Sequence, residues 1–329
     1  MAAFAHVVQR AARCSTVFRR RWLPGAVAVA VAVATGALLL SACSLGPSVA
    51  LRATGGRVSV VAAENFWGSI AAQLGGDRAH VTSIITNPNT DPHEYEPTAA
   101  DARVIATAQL VIVNGIGYDP WATTLVGSDQ TQGQTVLDVG TLLGIGPGGN
   151  PHRWYDPSDV TRVIQRITAD YERIDPRAAG YFARQERQFE TKALAPYHSV
   201  ISMITRRYAG TPVGASESIM VPLARALRLD LITPLGFLNA VSEGNEPTAA
   251  EKATIDSQIR RREIKIYIYN IQNATPDVTA QVEECHAEHI PVVPVTETLA
   301  PADATFQAWQ VRELRHIASA LAQAEGQQR

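Results

Sequence analysis

The stretch RVSVVAAENFWGSIAAQLGG, residues 57–76, decides how the rest of the chain is organised. Its first half is β-branched and apolar, as a buried strand requires. Its second half spaces apolar residues at helical intervals and closes on two glycines, which suit a helix C-cap. A strand leading straight into a helix is half of a parallel β-α-β unit.

The same alternation continues outward. HVTSIIT (80–86) reads as a strand, TAADARVIATA (98–108) as a helix and LVIVNG (110–115) as a buried strand. A second series starts after about residue 210. TPVGAS (211–216), LITPL (231–235), IKIYIYN (264–270) and IPVVPVT (290–296) read as strands. They alternate with helical ESIMVPLARALRL (217–229), TAAEKATIDSQIRRR (248–262), PDVTAQVEECHAEH (276–289) and the closing ATFQAWQVRELRHIASALAQAE (304–325). Short apolar strands alternating with helices predict an α/β fold: two lobes, each with a mainly parallel sheet flanked by helices. Between them, residues 156–209 carry no strand signal. Asp156-Pro157 and Asp175-Pro176 each set a capping carboxylate before a proline at a helix start. The second opens a periodic apolar run through Phe182, Phe189, Leu194, Val200, Ile201 and Ile204, with Pro196 as a kink point. A helix of about 30 residues spans about 45 Å, enough for a rigid strut between lobes.

Composition narrows the function classes. The chain has 329 residues and a formal net charge of −2, which gives no support for nucleic-acid binding. Its early arginines, Arg10, Arg13, Arg19, Arg20 and Arg21, precede every acidic residue, and an uncharged apolar run from Gly25 to Leu40 follows. That is the layout of an export signal over residues 1–42; the run approaches the ~17 residues that span a bilayer, so a transmembrane helix is the alternative, and the ending of the run favours the signal. Arg19-Arg20-Arg21-Trp22 only faintly resembles a twin-arginine signal, so ordinary Sec export is expected. Leu40-Ser41-Ala42-Cys43 resembles the bacterial lipobox, which implies lipidation of Cys43 and a tether over residues 43–56. Of the three cysteines only Cys285 then lies in the folded body, so the fold must be stable without an internal disulfide. The expected organisation is a first lobe over 57–155, a helical segment over 156–209 and a second lobe over 210–329.

Ligands of open α/β sheets sit at the carboxyl ends of the strands. His93 lies on such a loop after a strand, stiffened by Pro92 and Pro97. His152 repeats the pattern in GNPHRWYDPSDV (149–160): proline, histidine, aromatic residues, then a helix cap. Two carboxylates stand at strand ends of the second lobe, Glu217 in VGASESIM (213–220) and Glu297 directly after the last strand. Each alone is more simply a loop histidine or a helix-cap acid. Together they form a nitrogen and oxygen donor set for a divalent metal. The cluster Cys285, His286 and His289 has no matching second pair and reads as a solvated helix face. GIGPGG (144–149) lacks the following Lys-Ser/Thr of a phosphate loop.

The segments ENFWGSIAAQLGGD (64–77), DPHEYEPTAAD (91–101), LVIVNGIGYDPW (110–121), NPHRWYDP (150–157) and IPVVPVTETLA (290–300) resemble the zinc/manganese-type metal-binding proteins of bacterial ABC importers, the ZnuA/TroA-like cluster A-I family. The resemblance runs from about residue 57 to the C-terminus, closer in the first lobe. It implies a lipid-anchored receptor on the outer face of the cytoplasmic membrane, monomeric, with an ABC permease as partner and no catalysis. Its four metal ligands would be His93, His152, Glu217 and Glu297. Position 297 departs from the aspartate more usual in the family. Members lacking a third histidine are often manganese binders, and no His-rich loop lies between His93 and His152. Because N/O sites generally bind zinc more tightly than manganese, Zn²⁺ is expected, with Mn²⁺ the alternative. The rival functions are a secreted metallohydrolase, against which the chain has no H-E-x-x-H run, and a surface adhesin of the same fold.

Overall fold

The computed structural model describes residues 56–327 apart from 91, 94 and 129–132. The export signal, Cys43 and all of the tether but Gly56 lie outside the described residues.

The opening stretch folds as expected, with β1 (Val58–Glu64) running directly into α1 (Asn65–Gly75). Then come β2 (Ala79–Ile85), α2 (Ala99–Thr107), β3 (Leu110–Val113), α3 (Pro120–Ser128), β4 (Thr135–Asp138) and α4 (Val139–Leu143). The four strands form one parallel sheet in the order β2-β1-β3-β4. The second half holds β5 (Pro212–Ala215), α8 (Met220–Leu227), β6 (Asp230–Leu231), α9 (Leu235–Ser242), α10 (Ala249–Arg260), β7 (Tyr267–Asn270), α11 (Pro276–Ala287), β8 (Val292–Val295) and α12 (Phe306–Gly326). Its sheet is again parallel, in the equivalent order β6-β5-β7-β8. Two lobes of the same plan therefore arise without a sequence repeat.

Between the sheets run α5 (Pro157–Ile174), α6 (Ala179–Gln188) and α7 (Ala195–Tyr208). The expected long helix forms with its break before Pro196, as two α-helical stretches joined by a π-helical turn, Phe189–Ala193. The cause is Pro196. It has no N–H to donate and its ring crowds the carbonyl four residues back, so the turn before it widens. Leu194 N accordingly donates five residues back, to Phe189 O. The LITPL strand is also shorter than expected: β6 ends at Leu231, and Pro234 caps α9.

α6 packs on α5 and on α1 of the first lobe, whereas α7 packs on α8 and α12 of the second. One continuous apolar core follows that path and includes Phe66, Trp154, Phe189, Tyr197, Phe306 and Trp309. A separate cluster around Val111, Val113 and Trp121 fills the other face of the first sheet.

The Asp156 cap forms as the sequence indicates. Its Oδ1 accepts from Ser158 N at 2.9 Å and Ser158 Oγ at 2.6 Å, while Oδ2 accepts from Arg153 at 3.2 Å and from Arg225 of α8 at 2.6 Å. Burial works to raise its pKa, but the donors of Ser158 and Arg225 outweigh it and hold the carboxyl below its ordinary value. That stability is present above the unfolded pKa near 4 and lost as pH falls through the lower folded value. Replacing Asp156 by Ala should cost about 2 kcal/mol, the upper end for a helix cap, measured by urea unfolding at pH 7. The deficit should shrink toward pH 3.

Candidate metal centre

His152 follows Asn150 and Pro151 at the end of the α4–α5 connection and is buried. Asn150 sets its tautomer. The Asn150 Nδ2 donates to Ser218 O at 2.6 Å, which turns Oδ1 toward His152. That oxygen accepts from the His152 backbone N–H at 2.9 Å and faces Nδ1 at 3.1 Å. The ring proton therefore belongs on Nδ1, and Nε2 is left as a bare lone pair. Nε2 is buried and has no hydrogen-bond partner among the described residues. Fixing the tautomer in this way is how metal-ligating histidines are oriented.

Glu217 lies two residues beyond β5 and Glu297 two beyond β8, both buried. One carboxylate oxygen of each and a ring nitrogen of His152 all lie within 4.8 Å of one another. Among the described residues this is the one such group of three or more His, Cys, Asp or Glu. β5 and β8 flank β7 in the sheet, and the last residue of β7, Asn270, reaches both acids. Its Nδ2 lies 2.7 Å from Glu297 Oε1, and 3.2 and 3.4 Å from the two oxygens of Glu217. Tyr118 donates to Glu297 Oε2 at 2.9 Å. Gln272 Oε1 accepts from the backbone N–H groups of Glu297 and Thr298, at 2.5 and 3.2 Å. Its Nε2 donates to Pro88 O, on the loop that carries His93.

His93 approaches from the first lobe, on the loop between β2 and α2. It is half-buried and meets Tyr118 edge-on, with ring centroids 4.8 Å apart. His152 meets the same ring edge-on at 6.0 Å. A cavity of about 60 Å³ is lined by His93 and Glu297 together with Pro92, Gln272 and Asn273. The structure thus brings His152, Glu217 and Glu297 into one triad of ligand atoms and sets His93 beside it; Cys43 is outside the described residues. Tyr118, Asn150, Asn270 and Gln272 were not singled out by the sequence. Asn270 had one available signal, its place at a strand's carboxyl end. A larger groove, about 570 Å³, is lined by His286, His289 and His316, all exposed. Cys285 is buried rather than on a solvated face, because it turns toward the core as α11 ends.

Burial pushes the His152 pKa down to about 3, with the charges of His93 and Arg153 adding to the effect. The ring is neutral and able to ligate at any ordinary pH. Since the unfolded ring titrates near 6.5, the unfolded chain binds the extra proton first. Stability therefore falls as pH drops from about 6.5 toward 3. In nitrogen NMR of the metal-free protein, His152 should keep neutral-imidazole shifts down to pH 4.5.

Behind Tyr118 lies a second buried carboxyl pair, Glu64 and Asp119. Asp119 accepts from Asn114 N at 2.7 Å and Gly115 N at 2.8 Å, shaping the loop after β3. Burial, then the charge of Asp119, raises Glu64 well above its ordinary pKa, and burial raises Asp119 to about 7. Here the sign reverses: the folded state holds the proton longer than the unfolded chain, so stability falls as pH rises from about 4 through 7. Glu64→Gln should raise the melting temperature more at pH 8 than at pH 5.

Comparison with known proteins agrees with this architecture. The family model described as "Zinc-uptake complex component A periplasmic" (ZnuA) matches residues 60–320. A manganese-binding lipoprotein MntA of Halalkalibacterium halodurans is 29% identical over 127 residues, 37% of this chain and 41% of the relative. The zinc-binding lipoprotein AdcA of Streptococcus pneumoniae is 26% identical over 225 residues, 62% of this chain and 43% of the relative. The iron-binding protein YfeA of Yersinia pestis is 32% identical over 157 residues, 44% of this chain and 50% of the relative. The matches to these three curated relatives thus span half of each relative's length or less. Among solved structures, the Mn-bound periplasmic metal binding protein of Candidatus Liberibacter asiaticus superposes with a TM-score of 0.66 at 20% identity, covering 80% of this chain and 100% of the other. The protein FpvC of P. aeruginosa in complex with Ni²⁺ superposes at 0.65 and 19% identity, covering 82% and 98%. With the family model matched across both sheets and the helices between them, the chain belongs to the ZnuA family of zinc-uptake component A proteins.

Proposed function

We propose that this chain is an extracytoplasmic receptor that captures a divalent transition metal and passes it to an ABC permease. The observation that carries the reading is the buried ring of His152, with a bare Nε2 and one ring nitrogen within 4.8 Å of an oxygen of each of two buried carboxylates. Two acids so close and so poorly hydrated repel each other. A dication compensates both charges and receives the lone pair. His93 and His152 supply the first-lobe face of the site, and Glu217 and Glu297 close it from the second lobe.

The relatives support the class and differ on the cargo, being named for manganese, zinc and iron. Two imidazoles and two carboxylates make a four-donor set, which suits zinc, and the affinity order of N/O sites places zinc above manganese. Zinc is therefore the cargo proposed, ahead of manganese. The reading includes lipid anchoring through Cys43 on the outer face of the cytoplasmic membrane, a monomeric receptor, and lobes over 57–155 and 210–329 joined by 156–209. No observation favours the hydrolase or the adhesin.

The test is metal content and competitive affinity of a soluble chain beginning after Cys43. One equivalent of zinc should be bound. His152→Ala and Glu297→Ala should each weaken binding by more than about 100-fold, since loss of a mere supporting residue already costs 10–100-fold. A wild type that binds no transition metal would overturn the reading.

A further inference from the structure

The groups around the two acids do more than satisfy them. The Asn270 amide has a fixed orientation: Oδ1 accepts from Gln272 N–H at 3.0 Å, so Nδ2 must face the carboxylates. Its distances to the two oxygens of Glu217, 3.4 and 3.2 Å, are nearly equal. The amide nitrogen therefore faces the open end of that carboxylate rather than one oxygen. This is the place a cation occupies when a carboxylate grips it with both oxygens. On Glu297, each oxygen has its own donor from a different direction, Asn270 Nδ2 at 2.7 Å on Oε1 and Tyr118 Oη at 2.9 Å on Oε2. Both acids are thus held in the orientation of single-oxygen ligands.

We infer that Asn270, with Tyr118, is a specificity-determining positioning residue that confines Glu217 and Glu297 to one bond each and so sets the site at four-coordinate. The inference rests on the receptor reading and names its substrate class: a small cation content with tetrahedral N₂O₂ ligation, as zinc is, over an ion that seeks more oxygen ligands, as manganese does. Asn270 itself does not ligate. It holds both strand-end acids from the strand between them, leaving neither room to turn its open end to the metal.

The experiment compares zinc, manganese and cobalt(II) binding by the wild type, Asn270→Ala and Tyr118→Phe. The wild type should give the intense visible bands of tetrahedral cobalt. In Asn270→Ala those bands should weaken toward those of a higher-coordinate ion. Zinc affinity should fall by about 10–100-fold and the zinc-to-manganese affinity ratio by at least about tenfold. Tyr118→Phe should shift both in the same direction by less, and it gives the answer alone if Asn270→Ala does not fold. Equal losses for zinc and manganese with unchanged cobalt bands would make Asn270 a structural support only and overturn the inference. So would a wild-type cobalt spectrum that is already weak. A wild type that binds none of the three ions would instead overturn the receptor reading, which the other outcomes leave standing.

Discussion

Two buried carboxylates drawn together over the end of one strand are the constraint on which the second lobe depends. Glu217 and Glu297 come from β5 and β8, which are not neighbours; β7 lies between them. Their backbones are two strand spacings apart, roughly 9–10 Å, yet the side chains converge above Asn270. Holding that arrangement requires donors on every side. Asn270 and Tyr118 hold the Glu297 carboxylate, and Gln272 holds its backbone. Beneath the loop, Glu313 of α12 accepts from Thr296 N at 2.9 Å, Trp309 Nε1 at 2.9 Å and Tyr155 Oη at 2.5 Å. Burial raises Glu313 to about 7 against the pull of those donors. The closing helix is thus tied to the loop of Glu297 by a network that works only if complete.

The same network limits how the lobes move. Phe66 stacks on Trp154 at 3.9 Å, Trp154 meets His152, and Tyr155 meets Trp309 of the second lobe at 5.8 Å. Separating the lobes would bring these rings into water, and each aromatic side chain buries about 150–250 Å². An apolar interface of this kind resists the hinge opening that a polar interdomain contact permits.

Much of this was legible in the sequence because the signals were redundant. Residues 57–76 carry strand composition, helical spacing and a glycine stop together, and the fold follows them. β4 escaped notice because Thr135–Asp138 is four residues long with one of them fully buried, too little for a pattern. LITPL misled beyond its first residue because a β-branched run looks the same whether it extends a strand or ends one before a proline. In the candidate site, the strand-end rule pointed to Glu217 and Glu297 and the Pro-His pattern to His152, and the structure brings these three together. The strand-end rule did not distinguish Asn270, a neutral amide whose role depends on which strands flank it, and strand order is a tertiary fact. The longer reach of Glu297, where the family more usually has aspartate, acquires a physical sense in the structure: its carboxylate extends to Tyr118 of the other lobe.

The thiol of Cys285 has a consequence of its own. It is fully buried, and burial together with the charge of Glu284 pushes it up to about 12. Only a thiolate attacks a disulfide, reacts with peroxide or competes for a soft cation. Among the described residues this is the one cysteine, and it is locked in its unreactive form. Thiol chemistry at this position therefore requires the fold around α11 to open first.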